Sequence, residues 1–577
     1  MLLLWFLWPF LAKGARFPLG PDAPVYLWWT RLAGIDGLSA VDRPGVPALA
    51  LVLQGTLRLS VVQATAAIEV VFGAGIGLAS AALVRRGTSA WGAALAGLLA
   101  GTFAVHLAAG YVATLITAAG LLAAGTLLDD PRRRGPMLAA LVLAGGGLAH
   151  PDFLLLSAAI LLVAAATAWR SARTEALRMA GAAVGGGALL ALGLLAVRSG
   201  APRLDVDTSK DAFLRRAGLD AELRSAYLDR FVHRWTRYVQ WVSVPLAIAG
   251  FEAGRGNPGR ILRAWFVVTF VGVLGALVTG WLPADRFITF GFAVPILAAL
   301  GLVWLWRLLE GRRTLAFGAI GLLTFLMLAG SAIAWNRQEP FITQNEVNAV
   351  SIANDAISTS VKPGTPLVFW VNQRDDTVTF LATRAGNVIR AGLPPDRIRD
   401  VVVLVPRLPS ATGGTERAQL ERLGEQDLRR AQDISGRTAK VFVLRPFDEV
   451  DTPDDGTVID PPVIDFYPVD PLEPASAWDV VWASIATLAL LSVVGFGWAR
   501  IGLDDHVRAA TISPAVGAAA LILVAVGLDA VGIGLGSTGG AVAASAFAGG
   551  GGYLVGLVLQ RRARTHPAPQ IEQQPTE

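Results

Sequence analysis

Residues 1–34 read MLLLWFLWPFLAKGARFPLGPDAPVYLWWTRLAG. An apolar run, Met1 to Ala12, gives way to Lys13 and Arg16, and then to Asp22 inside the turn-forming stretch GPDAP. Such a run reads as a membrane helix that reaches an aqueous boundary, and it is shorter than the roughly 20 residues that cross a bilayer, so it is a short or incomplete first helix. It lacks the basic leader and small-residue cleavage site of a signal peptide. Asp22 therefore falls at the edge of the bilayer, ahead of Tyr26, Trp28, Trp29 and Arg31. An aspartate in this setting either bonds its own backbone, as turn residues do, or serves as a proton acceptor.

The rest of the chain fits that boundary. Of its 577 residues 54% are hydrophobic and 16% charged, and the mean hydropathy is +0.53, a balance that belongs to membrane proteins. The net charge of +5 is carried almost wholly by arginines spread among short segments between apolar runs, which points to membrane orientation and not to nucleic acid. With no cysteine, the chain has no disulfide framework, thiolate metal site or cysteine nucleophile.

Apolar segments of membrane-crossing character lie near 1–12, 62–84, 90–108, 110–128, 136–150, 152–169, 177–197, 237–251, 264–282, 287–306, 314–335, 477–499, 512–535 and 540–560, about fourteen in all. Turns are expected at Ala109-Gly110 and at Pro151. Every second connection is arginine-rich: Arg85-Arg86, Arg132 to Arg134, Arg170 to Arg178, Arg255 to Arg263, Arg307 to Arg313, Arg500 to Arg508, and Arg561 to Arg564. These are expected on the cytoplasmic side. Residues 46–84 are read as a surface helix followed by one span, because Arg58 at bilayer depth would be costly.

A transmembrane core is thus predicted over 1–335 with outer loops 13–61 and 198–236, followed by an extracytoplasmic block over 336–476 and C-terminal transmembrane helices with a cytoplasmic tail over 477–577. The block shows strands PLVFWV, VVVLV and AKVFVL separated by amphipathic segments, including a helix over TVTFLATRAGNVIRAG, and then a stretch rich in Asp and Pro over 446–476 that is expected to run extended. This predicts a small α/β domain with a parallel sheet and no glycine-rich nucleotide fingerprint. The fold class is a multi-pass α-helical membrane protein of the plasma membrane with an inserted α/β domain.

The outer connections hold Asp22, Tyr26, Arg31, Asp36, Asp42 and Arg43, then His150-Pro151-Asp152, then Asp205, Asp207, His233, Arg234 and Arg237, and finally Asp285 and Arg286 in LPADRF. Glu69 is a carboxylate inside a span. This layout suits an enzyme acting on a lipid phosphate: arginine pairs with phosphate at headgroup depth, and a carboxylate just outside takes the proton of an acceptor hydroxyl.

The short first helix, the acidic residue opening GPDAPVYLWWTRLAG, the proline-glycine step in DRPGVPAL, the outer His-Pro and the P-x-x-R-F turn resemble the GT-C superfamily of integral membrane glycosyltransferases, over roughly residues 1–335. The resemblance implies a polyprenyl-phosphate-linked sugar as donor, an envelope glycan, lipid or protein as acceptor, Asp22 as catalytic base and Arg286 as a ligand of the donor phosphate. Many members carry paired acidic residues in the first loop; here Asp22 stands between Pro21 and Ala23, so no cofactor is expected and a metal-dependent version is not supported.

Each residue also has a structural alternative. Tyr26, Trp28 and Trp29 suit an interfacial aromatic belt, Arg286 a local ion pair with Asp285, and His150 a helix cap. His233, Arg234 and Arg237 suit a solvated helix start, although their outer location runs against the positive-inside rule. Asp205 and Asp207 form an Asp-x-Asp that alternates by chance in many polar loops. Glu69 is either functional or a buried carboxyl sharing a proton with Thr65 or Gln63. Two other functions fit the same composition. A transporter or flippase would show repeated halves and midplane charges, and a non-catalytic scaffold could pack its glycine-rich final helices, VGIGLGSTGGAVAASAFAGGGGYLVG, against a partner helix or internally.

Overall fold

In a computed structural model of the protein, residues 1–20, 22–108, 111–197, 242–254, 256–279, 284–336 and 472–565 are described, with short strands and single residues between 342 and 465. The described residues form a helical bundle. Its elements are α1 (Leu2–Ala12), α2 (Ala23–Asp36), a 3₁₀ turn (Leu38–Ala40), α3 (Gly45–Leu57), α4 (Val61–Val84), α5 (Ala90–Ala108), α6 (Val112–Leu128), α7 (Gly135–Ala149), α8 (Pro151–Ala168) and α9 (Arg173–Val197). They continue as α10 (Ser243–Ala253), α11 (Gly256–Thr279), α12 (Ala284–Thr289), α13 (Ala293–Leu308), α14 (Arg313–Asn336), α15 (Ala477–Gly502), α16 (His506–Ala530) and α17 (Thr538–Thr565).

Eight of these helices are long and apolar enough to cross a membrane, so the protein is a multi-pass helical membrane protein. Other expected spans fold as shorter apolar helices, α1, α6, α7, α10 and α13 among them. Residues 46–84 form two helices, and the second, α4, is long enough to span. The first is not the surface helix expected: in α3 every residue from Gly45 to Leu53 is buried, because it packs against α7, α16 and α17. Chain reversal at Arg58, in the left-handed region at φ 56°, is followed by a reciprocal cap in which Ser60 Oγ accepts from the Gln63 amide and Gln63 Oε1 accepts from the Ser60 amide.

The block 336–476 contributes five short strands: β1 (Pro366–Phe369), β2 (Ile389–Arg390), β3 (Val403–Leu404), β4 (Val441–Phe442) and β5 (Val463–Asp465). Their order is β2-β5-β1-β3-β4. The three strands expected from sequence, β1, β3 and β4, pair in parallel, with Val368 opposite Val403 and Val403 opposite Val441. Two findings differ from expectation. Ile389 and Arg390 lie in a strand where a helix was predicted, and β5 inserts antiparallel between β1 and β2, so the sheet is mixed. Both strands are two or three residues long, too short for an alternating pattern to show in sequence. The helices predicted between the strands lie outside the described residues.

The connections bond to one another in two separate sets. In the arginine-rich set, Arg86 pairs with Asp130 at 3.1 Å, Arg132 pairs with Asp504, Arg178 donates to the Arg132 carbonyl, and Arg508 pairs with Asp129 at 2.8 Å. In the other set, the Ala475 amide donates to the Arg16 carbonyl at 2.9 Å, Lys13 bonds the Asn336 carbonyl, and the Leu38 amide donates to Asp529 Oδ2 at 3.0 Å. Part of α17 packs within the chain: Trp498 lies against Gly551 and Gly552 and donates its indole N–H to the Ala548 carbonyl at 2.7 Å, whereas Gly539, Gly550 and Gly556 have no neighbour within 4 Å of a Cβ position among the described residues.

Candidate functional site

The first outer segment is held before it reaches Asp22. Lys13 and Arg16 bond to Asn336 and Ala475, the residues flanking the 337–471 block. The Leu19 amide then donates to Glu69 Oε2 at 3.0 Å. Gly20 turns the chain at φ +82°, a conformation that a Cβ would strain, and the Ala23 amide closes that turn on the Gly20 carbonyl. Asp22 follows as the N-cap residue of α2. Its side chain makes no capping bond to α2.

One turn along α2, Tyr26 is 2% exposed and stands edge-on to Trp29 with ring centroids 5.9 Å apart. Trp28 and Trp29 are buried as well. A belt would face lipid and water; these rings face protein, because α2 is covered on nearly all sides. That corrects the interfacial-belt reading. The indole nitrogens of Trp28 and Trp29 and the Thr30 hydroxyl are buried and have no partner among the described residues.

Arg43 joins these groups. Its guanidinium donates to the Tyr26 hydroxyl and its Nη1 lies 3.3 Å from His150 Nε2. Burial works against the positive charge, but Tyr26, Asp22 and Asp152 together outweigh it, so the Arg43 pKa is raised above its ordinary value. Asp152 also lies 4.0 Å from His150 Nδ1. His150 does stand at helix ends as expected: it is the C-cap of α7, where its amide donates to the Gly146 carbonyl at 3.1 Å, and the N-cap of α8, where its side chain makes no cap bond. Its ring, 2% exposed, is turned toward Arg43 and Phe153.

Arg43 reaches His150 because α3 starts against the end of α7. A Cβ on Gly45 would come within 2.4 Å of the Ala149 nitrogen, so only glycine permits this approach. Gly45→Val is expected to lower stability by about 1–3 kcal/mol through overpacking and to part Arg43 from His150. Thermal unfolding in detergent checks the first effect and a structure of the variant the second.

A run of rings extends the cluster. His150 lies 4.2 Å from Phe153 between centroids, Phe153 stacks on Phe290 at 4.8 Å, and the Trp265 indole donates to the Phe290 carbonyl at 2.6 Å. Phe290 directly follows α12, the helix whose backbone carries Arg286. The side chain of Arg286 lies outside the described residues, as do His233, Arg234 and Arg237 and the aspartates of the Asp-x-Asp.

Glu69 is 2% exposed, and its partner is the Leu19 amide. The predicted sharing with Thr65 or Gln63 is not found: Thr65 donates to the Val61 carbonyl and Gln63 is used in the cap with Ser60. Three residues had no assigned role in the sequence reading and acquire one here, namely Arg43, Asp152 and Asp529. For Arg43 a signal existed, an arginine in a connection outside the arginine-rich set.

Fold and site together define a class: a multi-pass helical membrane protein whose acid, phenol, guanidinium and imidazole meet at the end of the bundle away from the arginine-rich connections. No family model matches the chain, and no curated protein does. Among solved structures the chain is similar to the oligosaccharyltransferase of Archaeoglobus fulgidus in its apo form, with 12% identity and a TM-score of 0.43 over 70% of this chain and 62% of that one. It is similar also to the same protein in complex with zinc and sulfate, with 13% identity and a TM-score of 0.40 over 70% of this chain and 60% of that one. The chain thus spans less than two thirds of the length of either structure.

Proposed function

We propose that the protein is a membrane glycosyltransferase that moves a hexose or pentose from a polyprenyl-phosphate donor to a hydroxyl of an envelope glycan, lipid or protein outside the plasma membrane. The observation that carries this reading is the meeting of Asp22, Tyr26 and His150 around Arg43. In this reading the chain crosses the membrane about fourteen times, and residues 336–476 are an extracytoplasmic α/β domain standing over the site.

The chemistry needs a proton acceptor and a way to stabilise a leaving phosphate. The acceptor hydroxyl oxygen attacks the anomeric carbon, the Asp22 carboxylate takes its proton, and the bond from that carbon to the phosphate oxygen breaks with its electron pair going to the phosphate. Arg43 supplies a buried positive charge that interacts with Asp22, Tyr26 and Asp152. Arg286, with His233, Arg234 and Arg237, takes the phosphate charge, a role in which fixed donors aimed at developing charge are effective.

The test is direct. The purified protein in nanodiscs is incubated with a panel of polyprenyl-phosphate hexoses and pentoses and a membrane extract as acceptor, and product is followed by label transfer. Transfer of the sugar from at least one donor, lowered about 10²-fold in Arg43→Gln, is the expected result. Absence of transfer together with substrate uptake into proteoliposomes would replace the enzyme with a transporter. Unchanged cell-envelope function after neutralising Asp22, Arg43 and His150 together would replace it with a scaffold.

A further inference from the structure

The intramembrane carboxylate is the group that this mechanism leaves unused. Glu69 sits in α4, one of the eight long spans, and only one of its oxygens has a partner among the described residues: Oε2 accepts from the Leu19 amide at 3.0 Å, while Oε1 is buried and unpaired. A buried carboxyl is expensive to keep unless it makes a bond that the fold needs. Its partner is a backbone donor in an extended segment, three positions ahead of Asp22 and directly before the Gly20 turn that sets the entry of α2.

Apolar packing also holds that segment, since Phe17 and Leu19 are each 1% exposed and Leu19 stands in an isolated β-bridge, but such contacts do not fix the direction of the Leu19 amide. The tethers at Lys13 and Arg16 hold its start to the chain on either side of the 337–471 block, and α2 takes over at Ala23. Between them the Leu19–Glu69 bond is a side-chain tie from this backbone to α4. A glutamine at position 69 would keep the acceptor oxygen, and a leucine would remove it while filling the same space.

We infer that Glu69 is a positioning residue: it fixes the backbone at Leu19 from within the bundle and thereby sets where Asp22 stands relative to Arg43. This rests on the glycosyltransferase reading, and the experiment is arranged so that the two can fail separately. Transfer kinetics on the sugar panel and hydrogen exchange of the peptide covering residues 16–26 are measured for Glu69→Leu, Glu69→Gln, Leu19→Pro and Asp22→Asn in nanodiscs. Glu69→Leu is expected to lower kcat about 10²-fold with KM little changed, as a misplacement of about 1 Å does, and to speed exchange at Leu19 by at least about tenfold. Glu69→Gln should restore both towards wild type. Leu19→Pro, which removes the donor and leaves Glu69 in place, should match Glu69→Leu in kcat, and the pair combined should add little.

Wild-type kcat in Glu69→Leu, or equal losses in Glu69→Gln and Glu69→Leu with Leu19 still protected, would overturn the positioning role. If Glu69→Leu does not fold, Leu19→Pro carries the test alone, and full activity in it is the overturning result. Full transfer by Asp22→Asn would sink the enzyme reading itself, whatever Glu69 does.

Discussion

Asp22→Asn is expected to lower sugar transfer by about 10²–10⁴-fold, the range that a positioned general base supplies. Asparagine keeps the size of the side chain and the turn chemistry of GPDAP, and the Tyr26 amide still donates to the carbonyl of residue 22. The Asp22 side chain makes no cap bond to α2, but its charge is set against the buried Arg43 guanidinium, so its loss is expected to cost about 1–3 kcal/mol of stability as well. The signature is therefore a fall in kcat of the folded variant at temperatures well below its melting transition. A variant that transfers sugar at the wild-type rate would remove Asp22 from the chemistry and leave the Arg43 cluster as a structural network.

Arg508→Met is expected to have the largest effect on stability, a loss of about 3–5 kcal/mol, because it leaves a carboxylate buried without its cation. Arg508 is 0% exposed. Its guanidinium bonds Asp129 at 2.8 Å, the Ala82 carbonyl at 3.2 Å and the Thr126 carbonyl at 3.3 Å, and so ties α16 to α4 and α6. Replacing both partners, Arg508→Met with Asp129→Leu, should recover most of the loss, since neither buried charge then remains.

The pH dependence gives an independent check. Burial raises the Asp129 pKa above its ordinary value even with the Arg508 charge opposing the shift. A carboxyl whose folded pKa stands above its unfolded one binds its proton more tightly in the native state. Its contribution to stability is therefore full below the unfolded pKa and is lost as pH rises through the folded pKa. Removing Arg508 withdraws the opposing charge, so the melting temperature of Arg508→Met should climb towards wild type as pH falls. A deficit independent of pH would assign the loss to packing.

Several parts of the fold could be read without coordinates. The boundary at Lys13, the junction at His150-Pro151 and the three parallel strands each depend on residues close in sequence, where turns and apolar periodicity act. Trp28 and Trp29 mark the limit of that approach. Tryptophans beside a membrane edge look alike whether lipid or protein covers them, and only the packing around α2 shows that they are buried. The arginines behave similarly: Arg508 carries the same orientation signal as its neighbours, yet it is a buried ion pair while Arg132 is half exposed beside Asp504.

By itself the sequence determined that the chain lives in a membrane and which connections share an end of the bundle, because hydropathy and charge are summed along short stretches of chain. Tertiary structure alone decided which polar groups meet. Arg43 and His150 are 107 residues apart, Leu19 and Glu69 are 50 apart, and Asp129 and Arg508 are 379 apart. Helix packing brings such pairs within bonding distance, and in the apolar interior each buried charge or amide must find its partner wherever the chain supplies one.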